Sequence, residues 1–245
     1  MELVISSSGA IHTELSRGDC EIIRDSIDTV GLVVETIANR LSWELNPTSE
    51  DASVRHKAIE LHAAALQRTS WLGASAMMFI PGVVNSPHNN ETVRYDLAMQ
   101  RATEAVKQLL DIAEDLGIDL CIANAWNGMF YSPQELIDFV DSFDSNRLGV
   151  YFNVANVLGY HQHPPHWIEL LGKRLKRVHF QDFQRQIDDR NARFCDLMAG
   201  DVPWSDSMAA LRGIGYNDTA VADMVRWDSA LLERTSVAMD KILAL

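Results

Sequence analysis

Short apolar runs alternate with longer amphipathic segments along the chain. The strand-like runs cover residues 3–6, 32–38, 76–81, 118–124, 148–154, 177–183 and 219–224, and several are almost continuously apolar. Strands covered on both faces lack the alternation typical of half-exposed strands. The repeated strand–helix–strand order therefore predicts an α/β fold with a parallel sheet and right-handed crossovers.

The segments between these runs have the spacing and the end signals of helices. We predict helices at 20–30, 51–71, 91–116, from 132 onward, and at 164–172, 205–213 and 229–243. Gly117 is placed to cap the third of these, because glycine readily adopts the left-handed conformation. Ser132 and Pro133 mark the start of the next helix, and Glu135 can complete a capping box.

Counting gives seven strand–helix units, one fewer than a closed (β/α) barrel contains. Either the first unit is missing or one strand escapes recognition. A doubly wound open sheet is the alternative, but no glycine-rich phosphate loop follows the first strand. No linker or low-complexity stretch interrupts the pattern, so we predict one barrel domain over residues 1–245.

Charge and composition narrow the range of partners. The formal net charge is −13, which disfavours nucleic acid because an acidic surface repels phosphates. No apolar run approaches the ~20 residues that cross a bilayer, and no leader peptide is visible at the start. The three cysteines are far apart and odd in number. These features predict a cytoplasmic protein that binds neither membrane nor nucleic acid.

The later part of the chain resembles the sugar isomerase/epimerase families with a xylose-isomerase-like barrel, such as ketose 3-epimerases and hydroxypyruvate isomerases. The similar segments are LCIANAWNGMFYSPQELIDFVDSF (120–143), LGVYFNVANVLGYHQHPPHWIELLGKRLKRVHFQDFQR (148–185), FCDLMAGDVPWSDSMAALRGIGY (194–216) and RTSVAMDKIL (234–243). The resemblance implies a TIM barrel. It also agrees with the count of seven, since family members have one more β–α unit before LVIS (3–6).

In the metal-dependent members, strand ends supply a Glu, an Asp, a His and a second Glu to one divalent ion. The resemblance places these four on Ala123, Asn153, His179 and Asp223. An alanine methyl cannot ligate, and an amide oxygen is a weaker ligand than a carboxylate for a hard cation. The expected site is therefore degenerate, with at most a weakly bound Mn²⁺, Mg²⁺ or Co²⁺ at His179, Asp223 and Asn153.

The same changes bear on proton transfer. Epimerisation at C3 of a ketose needs acid/base groups on both faces of the substrate, and Ala123 removes one of them. A 1,2-isomerisation through a cis-enediol can use a single base, which Asp223 supplies. We expect any surviving activity to be aldose–ketose isomerisation rather than 3-epimerisation, with Asp223 as the catalytic residue.

Further candidates follow from the same strand ends. Arg185 falls on a family position that contacts substrate oxygens, although a solvated loop arginine is the plain alternative. Trp126 and Asn124 follow the fourth strand, and Asn156 follows the fifth; each is a candidate substrate contact, and Trp126 could equally pack in the core. Asp182 is a candidate for supporting the site from behind.

Two other motifs have simpler interpretations. The histidines at 161, 163 and 166 have a spacing that can bind Zn²⁺, but proline-flanked histidines are often merely exposed. The segment Gly200–Trp204 matches a family turn, and a structural turn is the favoured interpretation.

The sequence alone leaves two functions open. The chain either converts or binds a small sugar or hydroxy-carbonyl compound, or it is an inactive barrel that serves as an interaction module. A nuclease is disfavoured, since these strand ends lack the many His and carboxylate ligands of that chemistry. The exposed edges of an incomplete barrel also predict a possible homodimer.

Overall fold

The structure, a computed structural model, describes residues 1–85, 91–185, 192–224 and 228–245. The chain forms two compact units. The first unit comprises residues 1–130 and 138–149, and the second comprises residues 131–137 and 150–245. The prediction of one domain over the whole chain stays a prediction.

The first unit carries four neighbouring parallel strands. These are β1 (Glu2–Ile5), β2 (Thr36–Asn39), β3 (Ala76–Phe79) and β4 (Asp119–Ala123). The helices of this unit are α1 (Arg17–Asp28), α2 (Leu41–Glu44), α3 (Ala52–Trp71) and α4 (Tyr95–Leu116). Helix α5 (Pro133–Asp141) begins in the second unit and ends in the first. Fully buried strand residues such as Ile37, Phe79 and Ile122 build the core.

The second unit continues the alternation. Its parallel strands are β5 (Leu148–Asn153), whose first two residues are counted with the first unit, β6 (Leu175–Phe180) and β9 (Ala220–Ala222). Its helices are α6 (Pro164–Leu171), α7 (Trp204–Gly213) and α8 (Leu231–Leu243). A separate antiparallel ribbon pairs β7 (Asp182–Gln184) with β8 (Arg193–Cys195). Short 3₁₀ turns cover Asn156–Tyr160 and Gly172–Arg174.

The seven predicted strands all exist, and they follow one another in the sheet order β1-β2-β3-β4-β5-β6-β9. This order confirms the parallel α/β prediction. The second strand starts at Thr36 rather than at residue 32, since Leu32 and Val33 lie on the surface with 48% and 58% of their area exposed. Helix α2 and the β7–β8 ribbon were not predicted from the apolar pattern.

The helix end signals act largely as expected. Gly117 has φ 70° and ends α4 in the left-handed conformation. The Ser132 hydroxyl accepts a hydrogen bond from Glu135 N at 3.2 Å. The capping box differs in one detail, because the Glu135 carboxylate accepts from Tyr131 N at 2.9 Å, one residue before the expected partner. No helix within the described ranges is long and apolar enough to cross a membrane.

Candidate active site at the strand ends of the second unit

Three strands of the second unit bring polar side chains to their carboxyl ends. Asn153 is the last residue of β5, and its register partner on β6 is His179. Gln181 lies two residues after His179, so the alternation of an extended chain turns both side chains to one side. Asp223 directly follows β9. Parallel strands place their carboxyl ends at the same edge, where α/β barrels carry their active sites.

The carboxamide of Asn153 is the centre of this group. Its Oδ1 accepts hydrogen bonds from Ala155 N at 3.0 Å and from Asn156 N at 3.3 Å. Its Nδ2 donates to Gln181 Oε1 at 2.9 Å and to Asp223 Oδ2 at 3.3 Å. The partners fix the orientation of the amide, because a backbone N–H can only donate and must face the oxygen.

Asp223 and His179 differ in their access to solvent. Asp223 keeps 42% of its side chain exposed, whereas His179 keeps 7%. The His179 Nδ1 lies 3.9 Å from Asp223 Oδ2, and its ring packs against Tyr151 with 4.4 Å between the ring centroids. The arrangement therefore combines one accessible carboxylate with a buried imidazole and two buried amides.

This donor set does not fit a divalent cation. An amide oxygen has two lone pairs, and the two backbone N–H groups at Asn153 already use both. The side that faces Asp223 carries N–H hydrogens, which repel a cation. Across residues 1–85, 91–185, 192–224 and 228–245, no group of three or more His, Cys, Asp or Glu side chains is arranged to hold a metal ion.

The Asp182 carboxylate accepts four hydrogen bonds from N–H groups of the protein. Its side chain is fully buried, and Oδ1 accepts from Phe183 N at 2.9 Å and Val202 N at 3.1 Å. Oδ2 accepts from Gly200 N and from the indole Nε1 of Trp204, both at 3.1 Å. The carboxylate thus ties the turn Gly200–Trp204 to β7, as the structural interpretation of that turn expects.

Gly200 is required in this clamp for a steric reason. A Cβ at this position would collide with the Asp182 carboxylate and with the backbone of Phe183. The next residue, Asp201, accepts a hydrogen bond from the backbone N of Arg185 at 2.7 Å through Oδ2. The turn therefore holds the backbone of Arg185, whose side chain is exposed.

Asn156 lies beside the site through its backbone. Its N–H donates to Asn153 Oδ1, and its side chain is half-buried at the start of the 3₁₀ turn. Gln181 is the one member of the cluster that sequence reasoning missed. Its signal was available, because it stands two residues after His179 and shares a side with it.

The remaining candidates belong to the first unit. Ala123 ends β4 and is buried, Asn124 is 1% exposed, and Trp126 is 42% exposed. The loop after β4 is fixed by Asn127, a fully buried residue whose Nδ2 donates to Gly82 O at 2.7 Å. The exposed indole of Trp126 is thus carried by an anchored loop, which suits a contact residue better than a core residue.

The three neighbouring histidines lie at the start of α6. His161, His163 and His166 are all exposed, and the last two pack edge to face with 4.6 Å between their ring centroids. They are not among any metal-binding group in the described ranges. This arrangement fits the simpler interpretation of exposed loop histidines.

The strand–helix alternation and the polar cluster at the strand ends define an α/β protein of the TIM-barrel class. Over residues 1–239 the chain matches the family described as Xylose isomerase-like TIM barrel, and it belongs to that family. The family is one of sugar epimerases and isomerases, as the resemblance implied.

Several relatives are named as ketose 3-epimerases. The chain is 26% identical to the D-psicose 3-epimerase of Ruminiclostridium cellulolyticum over 194 residues, which span 77% of this chain and 62% of that enzyme. A D-tagatose 3-epimerase-like protein of known structure superposes with a TM-score of 0.79 at 19% identity, covering 99% of this chain and 87% of the other.

A second solved structure holds a sugar. The structure of D-psicose 3-epimerase with D-tagatose, from Clostridium cellulolyticum H10, matches with a TM-score of 0.76 at 21% identity, covering 94% of this chain and 85% of that one. At these identities the two solved structures establish the fold alone.

Proposed function

We propose that this protein binds a small sugar or hydroxy-carbonyl compound at Asp223 and interconverts its aldose and ketose forms without a resident metal ion. The observation that carries the proposal is the accessible Asp223 carboxylate, held by the Asn153 amide at 3.3 Å and flanked by the His179 imidazole at 3.9 Å. The proposal extends the family's sugar chemistry to the groups that this chain retains.

The expected chemistry needs one base on one face of the substrate. Asp223 takes the proton from the carbon next to the carbonyl, which gives a cis-enediol, and returns it to the neighbouring carbon. A proton moves between the two substrate oxygens at the same time, so the product is an isomer and no oxidant is needed. Arg185 and Asn156, which belong to the same unit as Asp223, are the proposed substrate contacts. Asn124 and Trp126 stay candidate contacts within the first unit.

A second candidate is favoured by the same donor set. Ala123 brings no acid/base group, and the Asn153 amide stands where the family has a carboxylate. In this second candidate the protein binds a sugar-like ligand without converting it.

The two candidates separate in one experiment. A panel of ketoses, aldoses and their phosphates is tested for binding by calorimetry and for turnover by NMR in D₂O. Isomerisation through an enediol introduces deuterium at C1 or C2, and Asp223→Asn is expected to lower this exchange at least 100-fold. The exposed Asp240 provides the control variant Asp240→Asn, which is expected to behave as the parent protein.

Each outcome decides between the candidates. Binding without deuterium exchange identifies a ligand-binding protein. Turnover at C3 that depends on Asp223 would replace isomerisation by epimerisation, and failure of every sugar to bind would overturn both candidates. The predicted homodimer is a separate proposal, checked by sedimentation.

A further inference from the structure

The Asn153 amide occupies the position from which a cation would draw the site together. Its two Nδ2 hydrogens bind two oxygens from different strand ends, Gln181 Oε1 and Asp223 Oδ2. A divalent ion between strand-end carboxylates acts in the same way, because its positive charge holds several oxygens around one point. The amide hydrogens carry partial positive charge and do this with no net charge.

Both amides of this cluster are buried. Asn153 and Gln181 are 6% and 4% exposed, so their polar atoms depend on partners within the protein. The Asn153 oxygen is anchored by Ala155 N and Asn156 N. Rotating the amide to offer its oxygen to a cation would place N–H against N–H and lose both hydrogen bonds.

We propose that the Asn153 carboxamide is a positioning residue that substitutes for the divalent cation, holding Asp223 in place and keeping cations out. Within this cluster of described residues, the Asn153 side chain is what prevents a cation site, while His179 and Asp223 stay suited to ligate. A single substitution, Asn153→Asp, is then sufficient to create a cation site. The proposal concerns the same residues as the proposed function and rests on that function only for treating this cluster as the active site.

The physical effect of Asn153→Asp is directional. One carboxylate oxygen keeps the backbone donors of Ala155 and Asn156, while the other replaces the N–H group and faces Asp223. Two carboxylates now repel each other across a short distance. A divalent ion relieves that repulsion and meets two carboxylates and an imidazole, which are ligand types that Mn²⁺ accepts.

The test is a titration of the whole protein with Mn²⁺, followed by thermal unfolding and by the EPR signal of free Mn²⁺. In the parent protein, Tm is expected to change by less than about 1 °C up to 1 mM Mn²⁺. In Asn153→Asp it is expected to rise by about 5 °C or more, with one equivalent of Mn²⁺ bound.

Two control variants separate the amide from charge alone. Gln181→Glu adds the same negative charge to the same cluster but leaves the Asn153 amide in place, so we expect less than a third of the Asn153→Asp shift. Asn217→Asp adds that charge at an exposed position outside the cluster and is expected to show no shift.

Three results would overturn the proposal. Saturable Mn²⁺ binding by the parent protein that Asp223→Asn abolishes would show a working cation site beside the amide. A folded Asn153→Asp variant that binds no Mn²⁺ would show that this substitution is not sufficient to create a cation site. Equal Mn²⁺ binding by Gln181→Glu would show that added charge alone, and not the Asn153 amide, decides binding. If Asn153→Asp does not fold, the parent titration decides alone, with absent binding supporting the proposal. No sugar is needed, so failure of the proposed function leaves these readings intact.

Discussion

Asp182 begins β7, two residues after β6 ends, and Asp223 directly follows β9, yet the surroundings of the two carboxylates are opposite. Asp182 is fully buried, and four N–H donors fill its two oxygens. Asp223 has 42% of its side chain exposed and accepts a hydrogen bond from the Asn153 amide. A carboxylate saturated by the protein's own donors fixes structure, while an accessible one can meet a ligand. The number and source of donors therefore separate the two roles better than position at a strand end does.

The same contrast exists among the histidines of the first unit. His62 on α3 is fully buried, with Nδ1 at 2.7 Å from Ala58 O and Nε2 at 3.0 Å from Ser42 Oγ. His56, six residues earlier on the same helix, is exposed and lies 3.3 Å from Glu60. The buried histidine acts as an internal hydrogen-bonding group, and the exposed one meets solvent.

The largest expected effect tests the saturated carboxylate. Asp182→Asn keeps the shape but replaces one oxygen by an NH₂ group, which then faces two N–H donors whichever way the amide turns. Two buried donors lose their acceptor, so the free energy of unfolding is expected to fall by about 3 kcal/mol or more. Urea unfolding measures this loss. A change below about 1 kcal/mol would contradict the description of Asp182 as a structural clamp.

The sequence predicted most of the fold because its strongest signals are periodic. Each predicted helix matches an observed one to within a few residues, since apolar faces and end signals such as Gly117 act locally. The β7–β8 ribbon has no such period. It pairs Asp182 with Cys195 in two strands of only three residues each, which are too short to show a periodic apolar pattern.

The site was predictable only in part. Parallel strand ends bring Asn153, His179 and Asp223 to one edge, so their proximity in the second unit was expected. The direction of the Asn153 amide was not, because it is set by two backbone N–H groups in the turn that follows β5. Residue type indicates which atoms are present, and the turn geometry decides which of them face the site.

The second-largest expected effect is the pH dependence of stability that the buried His62 causes. Burial lowers the pKa of His62 from 6.5 to about 4, although the hydrogen bond with Ala58 O acts in the opposite direction. Between these values the unfolded chain binds a proton that the folded protein does not. The contribution of this group is therefore complete above pH 6.5 and is lost as the pH falls, by about 3 kcal/mol at pH 4.

Unfolding free energies measured from pH 7 to pH 4 check this slope. His62→Gln should flatten it, even though the variant is less stable at every pH. His56→Gln, at the exposed histidine of the same helix, is the matched control substitution. An NMR titration in which the His62 imidazole protonates near pH 6.5 would contradict the assigned environment.

The smallest effect tests the open carboxylate. Asp223→Asn should change the free energy of unfolding by less than about 1 kcal/mol, because the half-exposed side chain can re-pair through its remaining oxygen with the Asn153 amide. Urea unfolding of Asp223→Asn beside Asp182→Asn gives the comparison directly. Equal losses in the two variants would mean that Asp223 is also a structural clamp. A small loss, together with abolished sugar turnover, would instead separate the ligand-facing acid from the one that holds the turn.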